Sequence, residues 1–263
     1  MPNIKDILMD KFDLSVIVLT RNEEENIEAC LKSCSFAKEM LVIDDDSSDR
    51  TVQIAESLGA KVLHRSMNGD FGAQKTYGVN NATYPWVLIV DADERVTPEM
   101  AQQVKLCVEK DEFCCYAVQR ENRFHSGKAT HGVLRPDWVV RLVPKKQTKV
   151  EGQVHEKIVS PCPIKKLLGG GMIHYPYRDW DAYFRKFDKY TSLSAEKYIT
   201  SGKRCSFIKD IVFRPLWAFI KVYFVNLGFL DGKLGWIFSV NHYFYTMTKY
   251  VKLYTLEKSK GRL

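Results

Sequence analysis

The sequence lacks every cysteine arrangement that would make a metal cluster or a disulfide framework its organising principle. Its seven cysteines form no CxxC pair and no Cys/His array at zinc spacing, and their number is odd. That excludes a zinc module and a disulfide scaffold and leaves reduced structural thiols, as expected of a chain kept in the cytoplasm. Long hydrophobic runs are also missing. The most apolar stretch, Ile211 to Leu230, is broken by Arg214, Pro215, Lys221 and Asn226 and falls short of a membrane span. The opening residues, MPNIKDILMDKFD, carry charge through any would-be hydrophobic region, so no secretory leader is expected there. There is no internal repeat and no low-complexity segment. The helix, finger and RNA-binding signatures of nucleic-acid modules are absent, so nucleic acid is not an expected partner.

What is present is globular. The 263 residues are 27% charged and 45% hydrophobic, enough for one large α/β domain or a domain with a C-terminal extension. The formal charge of +7 is unevenly spread: acidic clusters lie before residue 95, while Lys and Arg are densest after residue 140. A basic, aromatic last third suits anionic lipid or an anionic acceptor.

Leu14 to Leu19 is a continuous aliphatic run, the mark of a strand buried on both faces, and Thr20-Arg21-Asn22-Glu23 follows at once. Asn22 with Glu25 is placed to start a helix over roughly 23–35. Further strands are expected at Met40 to Ile43, Lys61 to His64 and Trp86 to Val90. Between them lie helices, one capped by Ser47 or Ser48 and closed by Gly59, another over 73–82. This alternation indicates a parallel sheet. Later strands are expected at Cys114 to Gln119, Trp138 to Val143 and Met172 to His174, with helices from Trp180 onward.

Two strands end in acid. Met40 to Ile43 delivers Asp44, Asp45 and Asp46, and Trp86 to Val90 delivers Asp91-Ala92-Asp93 followed by Glu94. In an open α/β sheet, ligands sit beyond the carboxyl ends of the strands, and like charges gathered there are costly unless something cationic compensates. A divalent cation holding a diphosphate would do so.

Taken together, LSVIVLTRNEE at 14–24, LVIDDDSSDRT at 41–51 and WVLIVDADE at 86–94 resemble family 2 glycosyltransferases of the GT-A fold. A looser likeness, through GQVHEKI at 152–158 and IHYPYRDWDAYFRKFDKYT at 173–191, is to bacterial lipopolysaccharide core β-1,4-glucosyltransferases. The resemblance implies an α/β domain over residues 1–175 with a mostly parallel, Rossmann-like sheet, and a helical aromatic and basic region over 176–263. It implies that Thr20, Arg21, Asn22 and Glu23 cradle the nucleotide and that Asp44 or Asp45 contacts base or ribose. Asp46 stands where many relatives carry Gly, and Ser47 and Asp49 are read as helix caps. Lys75, near Gly69, Asp70 and Gln74, is placed to reach donor phosphate. Asp91 and Asp93 match the DxD pair: Asp93 would ligate Mg²⁺ or Mn²⁺, while Asp91 holds ribose or joins the metal site, with His174 as a further ligand.

Inverting transfer needs a carboxylate to take the acceptor's proton. Glu156, in Val154-His155-Glu156, is the first candidate and Asp137 the second, with His155 placed to orient the base or merely to pack. The expected donor is a UDP-sugar, with glucose foremost, and the expected acceptor is a lipopolysaccharide core or other lipid-linked envelope molecule. Arg178, Arg185 and Lys189 either serve an anionic acceptor or form a wet helix face. From Ile211 to Tyr254, aromatics interleaved with Lys and Arg suit the inner face of the cytoplasmic membrane, a homodimer contact or burial against the catalytic domain. A transferase acting on a peptide or other polymer, or a non-catalytic membrane-associated sugar-nucleotide-binding module, are the rival readings. An aspartate-nucleophile phosphatase would want Thr or Val where Arg95 stands, and a nucleotidyltransferase a glycine-rich loop where Thr20 to Glu23 stands.

Overall fold

A computed structural model describes residues 11–124, 127–128, 130–152 and 157–259. They divide into two compact units, one of residues 1–120 and 137–174, the other of 121–136 and 175–263.

The first unit is a mixed α/β sheet flanked by helices. In chain order its elements are β1 (Phe12–Thr20), α1 (Ile27–Ser33), β2 (Ala37–Asp44), α2 (Thr51–Ser57), β3 (Lys61–His64), α3 (Phe71–Asn81), β4 (Trp86–Asp91), β5 (Glu94–Val96) and α4 (Pro98–Lys110). After these come β6 (Cys115–Phe124), which ends in the second unit, β8 (Asp137–Pro144), β9 (Lys149–Glu151), β10 (Lys157–Val159), β11 (Ile164–Lys166) and β12 (Met172–His174). The short β7 (Gly127–Lys128) belongs to the second unit. The strand order is β3-β2-β1-β4-β8-β6-β12-β5, with β11 beside β6 and a separate β9–β10 pair. The sheet is parallel from β3 through β4, as the alternation of strands and helices dictates, and turns antiparallel at β8.

Because successive side chains leave a strand on opposite faces, the apolar runs feed two cores. Leu14, Val16, Val18, Leu88 and Val90 pack one face against Ile27 and Leu31 of α1 and Met100 and Val104 of α4. Ile17, Leu41, Ile43, Val87 and Ile89 pack the other against Val79 of α3. Each fully buried aliphatic side chain contributes about 1.5–3 kcal/mol. Two cores make β1, β2 and β4 a rigid base for whatever their carboxyl ends carry.

The helix expected from Asn22 begins later, with Asn26 as its N-cap. Asn22 is instead in the left-handed region at φ 53°, its backbone N–H donating to Ser47 Oγ and its side-chain oxygen accepting from the Ser48 N–H. The loop after β1 is thus tied sideways to the loop after β2. Ser47 and Ser48 are spent on that tie, and α2 has Arg50 at its N-cap position. Asp49 takes over part of the capping by accepting from the Thr51 N–H.

The second unit is mainly helical: α5 (Trp180–Thr200), a wide π-type stretch Phe207–Phe213, α6 (Arg214–Ile220), a second such stretch Lys221–Val225, and α7 (Gly232–Lys258). Asp179 caps α5 by accepting from the Ala182 N–H. Phe124, Leu134, Tyr183 and Phe238 form one core, and Ala195, Ile211, Tyr250, Leu253 and Leu256 another. Gly235 is forced by a close approach, since a Cβ there would lie 1.8 Å from the Gly228 carbonyl oxygen. Of the C-terminal aromatics, Phe238 and Tyr250 are buried, while Phe213, Trp217, Phe224, Phe229, Trp236 and Phe244 are exposed. Among the described residues no single helix is long and apolar enough to cross a membrane. The stretches Phe207–Val225 and Gly228–Lys258 meet that length and composition only as a pair, bent by 70°.

Candidate active site

The site is built on the carboxyl ends of β1, β2 and β4, which the parallel register brings level: Thr20 lies beside Asp44, and Leu19 beside Asp91. At the β1–β2 end, Thr20, Asp44 and Asp45 are all buried. Asp45 is fully engaged: Oδ1 accepts from the Met67 N–H at 2.7 Å and Oδ2 from the exposed Arg21 guanidinium at 3.0 Å. Asp44 is only half engaged. Its Oδ2 accepts from the Ser47 N–H at 3.1 Å and lies 3.3 Å from His64 Nδ1, while its Oδ1 and the neighbouring Thr20 Oγ1 are buried without a hydrogen-bond partner among the described residues. Buried polar atoms are almost always paired, so two orphans on neighbouring strands are an exception that calls for an explanation. Asp46, which stands where the resembled family often has Gly, has φ 53°, the region that glycine adopts freely.

The β4 end is organised by positive charge. The Arg141 guanidinium donates through Nη2 to Asp91 Oδ2 and to Glu94 Oε1, each at 2.6 Å. Lys75, buried on α3, approaches the other Asp91 oxygen to 3.5 Å. Glu94 is completely buried. Its second oxygen accepts from the Asp91 N–H at 2.9 Å, closing the turn, and Arg120 stands 3.4 Å from Oε1. Burial works to raise the Asp91 carboxyl, but the charges of Arg141 and Lys75 outweigh it and hold that group below the usual carboxylate range. For Glu94 burial wins over Arg141, with Asp91 and Asp93 adding to it, and the carboxyl is raised.

Arg141 reaches this position through a β-bulge. Tyr116 pairs with Leu142 and Ala117 with Val140, so Arg141 is the extra residue between two ladder partners. A bulge of this kind re-aims one side chain. The sequence contained a signal for it: an arginine interrupting the apolar strand Trp138 to Val143 must find a buried anion. Neither Arg141 nor Arg120 was among the residues singled out from sequence.

Asp93 and His174 come together. The antiparallel pairing of β5 with β12 sets His174 opposite Glu94, and its Nε2 lies 3.5 Å from Asp93 Oδ2, both side chains largely covered. Among the described residues no three His, Cys, Asp or Glu side chains are grouped to hold a metal alone. One carboxylate and one imidazole, with both Asp91 oxygens facing cations, fit a divalent ion whose remaining ligands are phosphate oxygens and water, and the imidazole favours Mn²⁺ over the all-oxygen preference of Mg²⁺.

Of the two candidate bases, Glu156 lies with His155 outside the described residues. Asp137 is gripped by Arg120, which donates to both of its oxygens at 3.0 and 2.7 Å. Glu23 closes the loop after β1, its N–H donating to Thr51 Oγ1 and its carboxylate accepting from Asn26. Gln74 braces Arg65, and Asp70 caps α3. Arg178 pairs with Asp179 at 2.9 Å; Arg185 and Lys189 line a shallow groove on α5 with Asp181 and Asp188. On the β8 side of Asp91 opens a half-enclosed pocket of about 490 Å³.

The family model described as "Glycosyl transferase family 2" matches residues 15–166. Over 97% of both chains the sequence is 25% identical to the lipopolysaccharide core biosynthesis glycosyltransferase LpsC of Rhizobium meliloti. It is 27% identical to an uncharacterised glycosyltransferase of Rickettsia bellii, over 91% of this chain and 85% of that one. A crystal structure of glucosyl-3-phosphoglycerate synthase from Mycobacterium tuberculosis with Mn²⁺, UDP and phosphoglyceric acid aligns over 68% of this chain and 76% of that one, at 16% identity and a TM-score of 0.43. With well over half of its length matched by the family model, the chain belongs to glycosyltransferase family 2 and is a glycosyltransferase.

Proposed function

We propose that this glycosyltransferase is metal-dependent and inverting, and that it moves a hexose, glucose foremost, from a UDP-sugar to a lipopolysaccharide core or related lipid-linked envelope acceptor. The observation that carries the nucleotide and metal is the contrast between two neighbouring strand ends: an uncompleted polar pair, Thr20 and Asp44, beside the converging Asp93 and His174. The acceptor class rests on full-length similarity to LpsC.

In this reading Asp44 accepts a hydrogen bond from base or ribose, Arg21 and Asn22 border the nucleotide, and Asp93 with His174 holds the cation that the diphosphate completes. That cation supplies Lewis-acid stabilisation of the departing diphosphate, worth several kcal/mol. Lys75 lies close enough to Asp91 to follow the same charge. The acceptor hydroxyl attacks the anomeric carbon from the face opposite the diphosphate. A C–O bond to the acceptor forms as the anomeric C–O bond breaks, the electron pair leaves with UDP, and the hydroxyl proton passes to a carboxylate. Glu156 takes that role, because Asp137 is committed on both oxygens to Arg120. The exposed Phe213, Trp217, Phe224 and Trp236, with Lys209, Arg214 and Lys221 along the same stretch, suit an anionic bilayer surface on the cytoplasmic side.

Slow hydrolysis of nucleotide sugars by the purified protein tests this without the acceptor. One UDP-sugar should be turned over with Mn²⁺ or Mg²⁺ and not with EDTA, and Glu156→Ala should abolish transfer. Absence of both turnover and UDP binding would overturn the proposal, whereas UDP binding without turnover even when acceptor is supplied would leave the non-catalytic reading.

A further inference from the structure

The sheet order divides the surroundings of Asp91. The orphaned pair and its loops lie on the β1–β2 side, whereas the pocket lies on the β8–β6 side and is lined by none of Thr20, Arg21, Asn22, Asp44 or Asp45. Its volume of about 490 Å³ is in the range of small-ligand sites, and among the described residues Lys75, Arg120, Arg141 and Lys157 line it against one carboxylate, Asp91. The charges are not equivalent. Arg120 and Arg141 are neutralised from behind by Asp137 and Glu94, and Lys75 faces Asp91. Lys157 stands opposite Glu151 in the β9–β10 pair yet makes no ion pair with a described residue. Lys166 places its ammonium 4.6 Å from the ring centre of Trp138, a pocket residue that remains 37% exposed. The wall therefore combines a part-exposed indole with one cation, Lys157, that no described acid pairs, and Lys166 stands just beside it over the same indole.

We propose that this pocket is the acceptor-sugar site and that it selects an acidic sugar, phosphorylated or carboxylated, whose ring lies on Trp138 and whose anionic group is taken by Lys157 with Lys166. The inference rests on the transferase reading, since a donor on the β1–β2 side and an acceptor on the β8 side would meet at Asp91. An aromatic face supplies apolar contact for a sugar's C–H face, and an ammonium-to-anion hydrogen bond is roughly twice as strong as a neutral one.

The test is ligand-observed NMR on the full chain with UDP and diamagnetic Mg²⁺ saturating the nucleotide side, using glucose 6-phosphate, glucuronate, glucose and inorganic phosphate as probes. Binding of either acidic sugar about tenfold more tightly than glucose is expected from one charge-assisted hydrogen bond. Lys157→Gln should remove that preference, Lys157→Arg should keep it, and Trp138→Ala should weaken every sugar but not inorganic phosphate. Equal binding of glucose and the acidic sugars, or a preference untouched by Lys157→Gln, would overturn the proposal. So would phosphate binding as tightly as glucose 6-phosphate, which marks a plain anion site. Donor hydrolysis by the unaltered protein, run alongside, separates the two failures: hydrolysis without charge preference sinks the pocket, and acidic-sugar binding without hydrolysis or nucleotide binding sinks the transferase reading.

Discussion

The two acidic strand ends of the sheet solve the same electrostatic problem in opposite ways. At β2, Asp44 and Asp45 are held chiefly by backbone N–H groups, with one exposed arginine and one histidine nearby, and an oxygen of Asp44 is left over. At β4, Asp91 and Glu94 are clamped by Arg141, Arg120 and Lys75, while Asp93 alone faces His174. A carboxylate satisfied by amides is poised for neutral donors such as a base N–H or a ribose hydroxyl. One surrounded by fixed cations is a rigid fixture, and its neighbour Asp93, facing only the His174 imidazole among the described residues, is the carboxylate proposed to hold a mobile cation. The difference teaches that the two aspartates of Asp91-Ala92-Asp93 are not equivalent: Asp91 is held by fixed cations, whereas Asp93 faces only His174, which is why the proposed cation is assigned to Asp93.

The largest break in that comparison is Asp93→Ala. Loss of the cation's anchor should lower donor turnover by about 10³-fold, the scale of several kcal/mol of Lewis-acid stabilisation, as read by coupled UDP release. Next is Arg141→Leu, which leaves the buried Glu94 and the half-buried Asp91 without their main cation. Breaking a buried pair in this way costs about 3–5 kcal/mol, measurable by urea unfolding, and Arg141→Lys should recover part of it.

How much of this was legible before the structure follows from the kind of signal each part leaves. β1, β2 and β4 were readable because a strand buried on both faces must be a continuous apolar run, and the half-buried β3 because it falls where the alternation of strands and helices requires a strand. The placement of Asp44 and Asp91 at strand ends was readable because they close such runs, and Asp93 lies in the turn that follows. The start of α1 was misplaced, because Asn22 carries cap chemistry that the loop after β2 captures through Ser47 and Ser48. Arg141 was missed for a different reason: its role depends on a bulge, and a bulge is set by pairing with β6, which no local pattern encodes. Glu94 was seen only as a neighbour of the motif, although its complete burial makes it the hub of the charge cluster.

A gentler comparison comes from Asp44→Asn. Removing a charge whose second oxygen is unpaired should leave thermal stability essentially intact while weakening UDP binding about tenfold, the worth of one hydrogen bond to a charged group, as read by calorimetry. Smallest is Asp49→Asn, at about 1 kcal/mol. Burial works to raise the Asp49 carboxyl, but hydrogen bonds from Thr51 and the Glu24 N–H outweigh it and hold it below its ordinary 3.8. A depressed carboxyl adds stability that is present above the ordinary value and is lost as pH falls through the folded one. The stability gap between Asp49→Asn and the unaltered protein should therefore be widest near neutrality and close below pH 3.8.

The division of labour between the two strand ends is tested most directly by titrating UDP into the unaltered protein, Asp44→Asn and Asp93→Ala, each with Mn²⁺ and with EDTA. The account predicts that Mn²⁺ tightens UDP binding for the unaltered protein and for Asp44→Asn, the latter weaker in both conditions, and that Asp93→Ala loses the Mn²⁺ increment alone. An increment that survives in Asp93→Ala, or disappears in Asp44→Asn, would contradict it.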